Sequence, residues 1–322
     1  MPDVSKKIAL WAKIATFCLL IGFIVYTLRQ QTVRWADLRQ PLQHTNLRSV
    51  WAALLVGLVP LNWSLEALKW QWLVRRIAPL RFTEALGGVL AGLSLGMALP
   101  GPLGDTAGRV LSIGAGQRTG AVGAAMVAGG MQFYVALVVG TLAWAAYLTR
   151  VPIRQTTVGN ALLVLLTVLS GLGVVLNFFR KDFVRWSARW PWLGRYVGWW
   201  RVIGQYSHAD ILGTFGLALL RHLTFSLQLF AAFRLYHVPL DSIPLAAGVG
   251  VIYVVKTIAP AFNWLSDLGV REAAALWVFA PFSLPAPPLL TATLTLWLVN
   301  IGLPVLLGLF SLWRIRLAEQ TN

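Results

Sequence analysis

The chain has 322 residues, of which 57% are hydrophobic and 12% charged. A soluble domain carries about 25% charged residues, so these numbers and a mean hydropathy of +0.69 exclude an ordinary soluble protein. The net charge of +16 is spread between apolar stretches and not gathered on a polar domain, which favours membrane topology and anionic lipid over nucleic acid.

The first apolar stretch, 8–28, follows Lys6 and Lys7 and is long enough to cross hydrocarbon; with no small-residue cleavage site it reads as an uncleaved first helix. It holds Cys18, the only cysteine, which excludes an intrachain disulfide and a cysteine-based metal cluster. A second span covers 51–68. Glu66 and Lys69 near its end form an i, i+3 pair expected at the interface, with Glu66 also a candidate for proton coupling. The next apolar segment, 84–99, is short and broken by glycine. It ends at Pro100-Gly101 and is followed by Gly104-Asp105, Gly108 and Arg109. Spans at 120–148 and 158–179 come next. The segment 179–206 interleaves arginines with Trp186, Trp190, Trp192, Trp199 and Trp200, a composition suited to the headgroup layer on the cytoplasmic leaflet. The span 211–233 carries Arg221 and His222, read as interfacial anchors. A second short segment, 244–259, holds Lys256 and ends at Pro260; the stretch 273–284 and a last span, 289–313, complete the chain. The four histidines, His44, His208, His222 and His237, show no metal-ligand spacing, and no metal or cofactor is expected.

One pattern occurs twice. Pro79-Leu80 precedes Pro100 by 21 residues, and Pro239-Leu240 precedes Pro260 by 21, an offset of 160. After each second proline the sequence turns polar: Asp105 and Arg109 in the first copy, Asp267, Arg271 and Glu272 in the second. Paired Gly/Pro-broken hydrophobic segments at matching positions are a pointer to a transport site. If every short segment crossed the bilayer, lysines and arginines would divide evenly between the sides. If the two broken segments are re-entrant hairpins, about two thirds fall inside, with both termini cytoplasmic. The expected fold is therefore an all-α polytopic membrane protein, a single transmembrane domain over 1–322. It comprises two inverted-topology repeats, 1–150 and 151–322, each with full spans and one re-entrant hairpin. The hairpin tips, near Pro100 and Pro260, are expected near the bilayer midplane, buried in protein or lining a wet cavity.

Arginine suits phosphate because its planar fork matches phosphate oxygens and stays charged when desolvated. Arg109, Arg271 and Lys256 are accordingly the candidate phosphate-binding residues. Asp105, Asp267, Glu272 and Glu66 are candidates to orient them or exchange protons, and Pro100, Gly101 and Pro260 are the hairpin breaks. The sequence has no Walker A loop, HExxH or Gly-x-Ser-x-Gly element, and a transporter is expected in preference to an enzyme.

Three elements carry a resemblance: Leu68-Lys69-Trp70 before a basic loop, Pro100…Gly104-Asp105…Arg109, and Pro260…Leu268-Gly269-Val270-Arg271-Glu272. Over roughly 51–316 the chain resembles the flippase-like family of the membrane domain of lysylphosphatidylglycerol synthase, the multiple peptide resistance factor of bacteria. The resemblance implies a protein of the bacterial cytoplasmic membrane that moves a phosphate-bearing lipid, a phospholipid or a polyprenyl-phosphate-linked glycolipid, between leaflets. It does not carry over synthase activity, because no aminoacyl-transferase domain follows before Asn322. Ser266-Asp267 stands where the family usually has a Gly-Gly pair, adding a carboxylate to the expected site. The alternative is a membrane-embedded accessory subunit or enzyme of lipid-linked glycan synthesis. Expected partners are the lipid substrate, anionic lipids of the cytoplasmic leaflet and, in the alternative, a lipid-biosynthetic enzyme; nucleic acid is not expected.

Overall fold

The computed structural model describes residues 40–43, 45–98, 103–151, 156–194, 196–258 and 269–308. The expected first span with Cys18, the hairpin breaks Pro100, Gly101 and Pro260, and Asp267 lie outside the described residues. The principal helices are α1 (Val50–Val74), α2 (Phe82–Ala98), α3 (Leu103–Leu111), α4 (Arg118–Leu148), α5 (Thr156–Phe178), α6 (Arg180–Arg189), α7 (His208–Leu235), α8 (Ser242–Ile258), α9 (Val270–Phe279) and α10 (Ala286–Trp297). No strand occurs among the described residues.

Among the described residues, five helices are long and apolar enough to cross a membrane. They are α1, α4, α5, α7 and α10, the last continuing through a wide π turn at Leu298–Gly302 to Gly308. They coincide with five of the six expected spans, and the chain is an all-α, multi-pass membrane protein. Such helices satisfy every backbone group internally, which hydrocarbon demands. Pro60 lies inside α1, where it removes one ladder donor.

The described residues fall into two compact units. One holds residues up to 58, 139–164 and 225–301; the other holds 59–138, 165–224 and those from 302 on. Each of the five long helices has residues in both units. The short helices do not: α2 and α3 belong wholly to the second unit, α8 and α9 wholly to the first.

In the unit containing α2 and α3, a core is built by Ala67, Trp70 and Leu73 of α1, Ala85 and Val89 of α2, Ala121, Ala124 and Ala128 of α4, and Val202 and Tyr206 beyond α6. Glycine makes the α2–α3 contact possible. A Cβ on Gly108 would lie 2.1 Å from the Gly92 nitrogen, and one on Gly104 would lie 2.3 Å from the Leu95 carbonyl oxygen. The two backbones touch where any side chain would hold them apart, as small residues allow between helices in a membrane. The start of α7 is tied to the end of α1. Ser207 and Asp210 cap α7 reciprocally, with Ser207 N donating to Asp210 Oδ2 at 2.9 Å and Asp210 N to Ser207 Oγ at 3.1 Å. Asp210 also accepts from Arg75 at 2.6 Å and Arg76 at 2.7 Å. The Tyr206 hydroxyl donates to the Leu73 carbonyl at 2.9 Å. Burial, and next the negative charge of Asp210, push this phenol above its ordinary pKa, so it remains a neutral donor.

In the unit containing α8 and α9, small residues again allow close approach. A Cβ on Gly140 would meet Val254 at 2.5 Å, and one on Gly248 would meet the Phe279 ring at 2.4 Å. Phe233 meets Phe279 edge-on at 5.4 Å. Polar groups in this apolar setting find partners between helices: Gln228 Nε2 donates to the Leu55 carbonyl at 3.0 Å, and Asn300 Nδ2 donates to Gln228 Oε1 at 3.1 Å.

Candidate functional site

The charged residues of the α2–α3 unit converge on Glu66. It stands on α1, one turn from Lys69, and the two meet at 2.8 Å. On α3, Asp105 and Arg109 are one turn apart, and Arg109 Nη2 meets Asp105 Oδ2 at 2.9 Å. The glycine seam against α2 sets α3 where Arg109 Nη1 also reaches Glu66 Oε1 at 2.7 Å. From α7, Arg221 Nε approaches Glu66 Oε2 at 3.1 Å. Gln132 of α4 completes the ring: its Oε1 accepts from Lys69 Nζ at 3.1 Å and from Arg221 Nη1 at 3.2 Å. Its Nε2 donates to the Ala218 carbonyl at 3.4 Å. Four helices thus contribute to one polar knot inside apolar surroundings.

Burial is uneven. Glu66, Lys69 and Arg109 are 5%, 1% and 5% exposed, whereas the side chains of Asp105 and Arg221 keep 38% and 23% of their surface. Isolated ions in low dielectric are very costly, so these charges persist only as a mutually paired set. Among the described ion pairs, Lys69, Arg109 and Arg221 bring three formal positive charges to two negative ones on Glu66 and Asp105, in a site that opens at Arg221 and Asp105. The Arg109 guanidinium also lies 6.0 Å from the centroid of the Trp70 ring.

This corrects two expectations. Glu66 and Lys69 are not an interfacial pair, because α3 and α7 cover them. Arg221 is not an anchor at the edge of a span but a third cation on Glu66, and His222 is wholly buried. Gln132 was not singled out in the sequence. The available signal was a lone amide inside a 31-residue apolar helix, where polar side chains face the protein interior.

The other candidates belong to the α8–α9 unit. Gly269 adopts φ 90°, a conformation glycine reaches without steric penalty, and opens α9. The Glu272 carboxylate reaches back to accept from the Gly269 N–H at 2.7 Å. The Gly-Val-Arg-Glu element is therefore a helix start. It sets Arg271 in the first turn, 3% exposed beside Glu272 at 2%. Lys256, near the end of α8, stands 5.8 Å from the centroid of the Tyr253 ring and is half-buried. Glu66, Asp105 and Arg109 are thus brought together, while Lys256, Arg271 and Glu272 stand in the other unit. No group of three or more histidine, cysteine or acidic residues suited to a metal occurs among the described residues.

A multi-pass helical membrane protein with a buried, charged side-chain cluster is the class these features define. The chain belongs to the family described as the lysylphosphatidylglycerol synthase TM region, which matches residues 10–308. This membership connects it to membrane-lipid function. No curated protein matches the chain.

Proposed function

We propose that the protein moves a phosphate-bearing lipid between the leaflets of the bacterial cytoplasmic membrane, without making or breaking bonds in it. The observation that carries this reading is the cluster of three buried or half-buried cations, Lys69, Arg109 and Arg221, gathered on Glu66 and Asp105 beside a partly open edge. A lipid phosphate is a fitting anion for such a cluster, because guanidinium groups bind it in a planar, bidentate fashion.

In this mechanism the acyl tails stay in lipid while the headgroup enters at Arg221 and Asp105. Glu66, clasped by three cations, acts as a fixed template. Asp105 is the more exposed acid, and the phosphate takes its place on Arg109. The re-entrant reading of the two short helix pairs is supported by their each lying wholly within one unit, unlike the spans. Arg271, set in the first turn of α9 by Gly269 and Glu272, with Lys256 nearby in sequence, is the corresponding phosphate-binding group of the second repeat. Positive loops assign the Arg75-Arg76 end of α1 to the cytoplasmic side.

The test is a leaflet-specific assay in reconstituted vesicles, following a headgroup-labelled phospholipid. Arg109→Gln and Arg221→Gln are each expected to lower transport at least tenfold in protein that remains monodisperse. Unchanged lipid movement in both variants rules the reading out. Headgroup turnover by the wild-type protein would favour an enzyme of lipid-linked glycan synthesis.

A further inference from the structure

The segment between α5 and α7 is not absorbed by the transport site. It consists of α6, short helical turns at Pro191–Gly194 and Val197–Trp200, and a 3-10 turn at Arg201–Gln205. It starts directly after the end of one membrane span, Phe178, and ends directly before the start of another, His208. Its depth in the bilayer is therefore fixed at both ends.

The helix α6 divides into three stripes. Arg180, Val184 and Ser187, at i, i+4 and i+7, face the protein: Arg180 and Ser187 are buried and Val184 is partly buried. Arg180 Nη2 donates to the Tyr206 carbonyl at 3.0 Å, and Ser187 Oγ accepts from Trp200 Nε1 at 3.0 Å. On one flank Phe183, Trp186 and Trp190 form a ladder of rings with centroids 6.4 and 5.4 Å apart, continued by Trp192 at 6.5 Å. All four are exposed, at 51%, 48%, 44% and 59%. On the other flank stand Lys181 and Arg185, with Arg189 beyond them, all exposed. Asp182, which pairs with Arg185, is the one acid of α6.

Rings on one flank and cations on the other form the pattern of a helix lying in the interface plane, its aromatic side in the acyl boundary and its basic side at the headgroups. The platform is rigidly seated. Val202 and Tyr206 belong to the core with Ala121 and Ala124, and Gly123 admits the Trp199 carbonyl so closely that a Cβ there would meet it at 2.1 Å. We infer that α6 and the turns after it form a built-in binding surface for an anionic leaflet, gathering negatively charged lipid beside the unit that holds the Glu66 cluster. The occupant is a lipid surface and not a protein, because the cations match anionic headgroups and the segment is tethered to a membrane span at each end.

Two measurements on the full chain in nanodiscs test this. With Cys18 replaced by serine, spin labels at Phe183→Cys and Lys181→Cys report contact with oxygen or with a water-soluble nickel chelate. The expected result is oxygen contact at position 183 and chelate contact at 181. Equal chelate contact at both, or protection of position 183 from both reagents as a protein partner or second copy would cause, overturns the inference. In nanodiscs of equal phosphatidylglycerol and phosphatidylcholine, native mass spectrometry is expected to find phosphatidylglycerol retained preferentially. That preference should fall at least threefold in the Lys181→Gln/Arg185→Gln/Arg189→Gln variant, which leaves every anchoring contact in place. No change overturns the anionic assignment. Neither readout depends on transport, so the outcome is separable from the function proposed above.

Discussion

Glu66 is the residue on which the cluster depends, because three cations from three helices lie on its two oxygens. Replacing it by glutamine leaves Lys69, Arg109 and Arg221 facing one another without the carboxylate they share. Glu66→Gln is expected to lose about 3–5 kcal/mol, the usual consequence of removing one partner of a buried ion set. Asp105→Asn should differ in kind: its side chain keeps over a third of its surface, the asparagine oxygen still accepts from Arg109, and Arg109 keeps its pairing with Glu66. Its folding loss should stay within about 1 kcal/mol, as for exposed pairs. Chemical unfolding in detergent distinguishes the two, and equal losses would show that the cluster has no buried centre. The composition of this cluster was only half legible. Asp105 and Arg109 show themselves by spacing within one helix. Arg221 and Gln132 join them from helices 89 residues apart in the chain, and no local pattern encodes which face of a long apolar helix meets which neighbour.

At the scale of elements, the twice-repeated motif resolves into two different pieces of local physics. In the first copy the glycines serve packing: Gly104 and Gly108 let α3 lie on the backbone of α2. Gly108→Val is therefore expected to unseat Arg109 from Glu66 and to destabilise the fold, whereas Gly114→Ala, with open space around it, should be neutral. In the second copy the glycine serves conformation. Gly269 sits at φ 90°, and Gly269→Ala should cost about 1–2 kcal/mol through the strain a Cβ meets there. Differential scanning of the purified variants checks both. Sequence spacing located these elements within a few residues, since proline, glycine and charge mark their ends. It gave no means to tell a packing glycine from a turning one, because that depends on the backbone that passes alongside. The same limit explains the Asp210 hub, where a serine and an aspartate three residues apart cap α7 but the arginines they meet lie about 135 residues earlier.

For the whole molecule, the five long apolar helices among the described residues were readable from hydropathy alone, because hydrocarbon imposes both length and composition on whatever crosses it. What hydropathy leaves open is which spans carry the interior. In four of them 39% of the apolar window is buried, but in α5 only 6%. Of its residues, Leu166 is buried at 2%, and a Cβ on Gly173 would press on Tyr134. Gly159 is buried too, and its carbonyl accepts from Trp144 Nε1 at 2.9 Å; most other side chains of α5 are exposed. Such a segment is constrained chiefly in length and hydropathy, and in side-chain identity only where it meets a neighbour. A chimaera carrying an unrelated 22-residue span of equal hydropathy, with Gly159, Leu163, Leu166, Thr167, Ser170, Gly173 and Asn177 kept, should still fold by size-exclusion chromatography, while the same exchange in α1 or α7 should yield no folded protein at all.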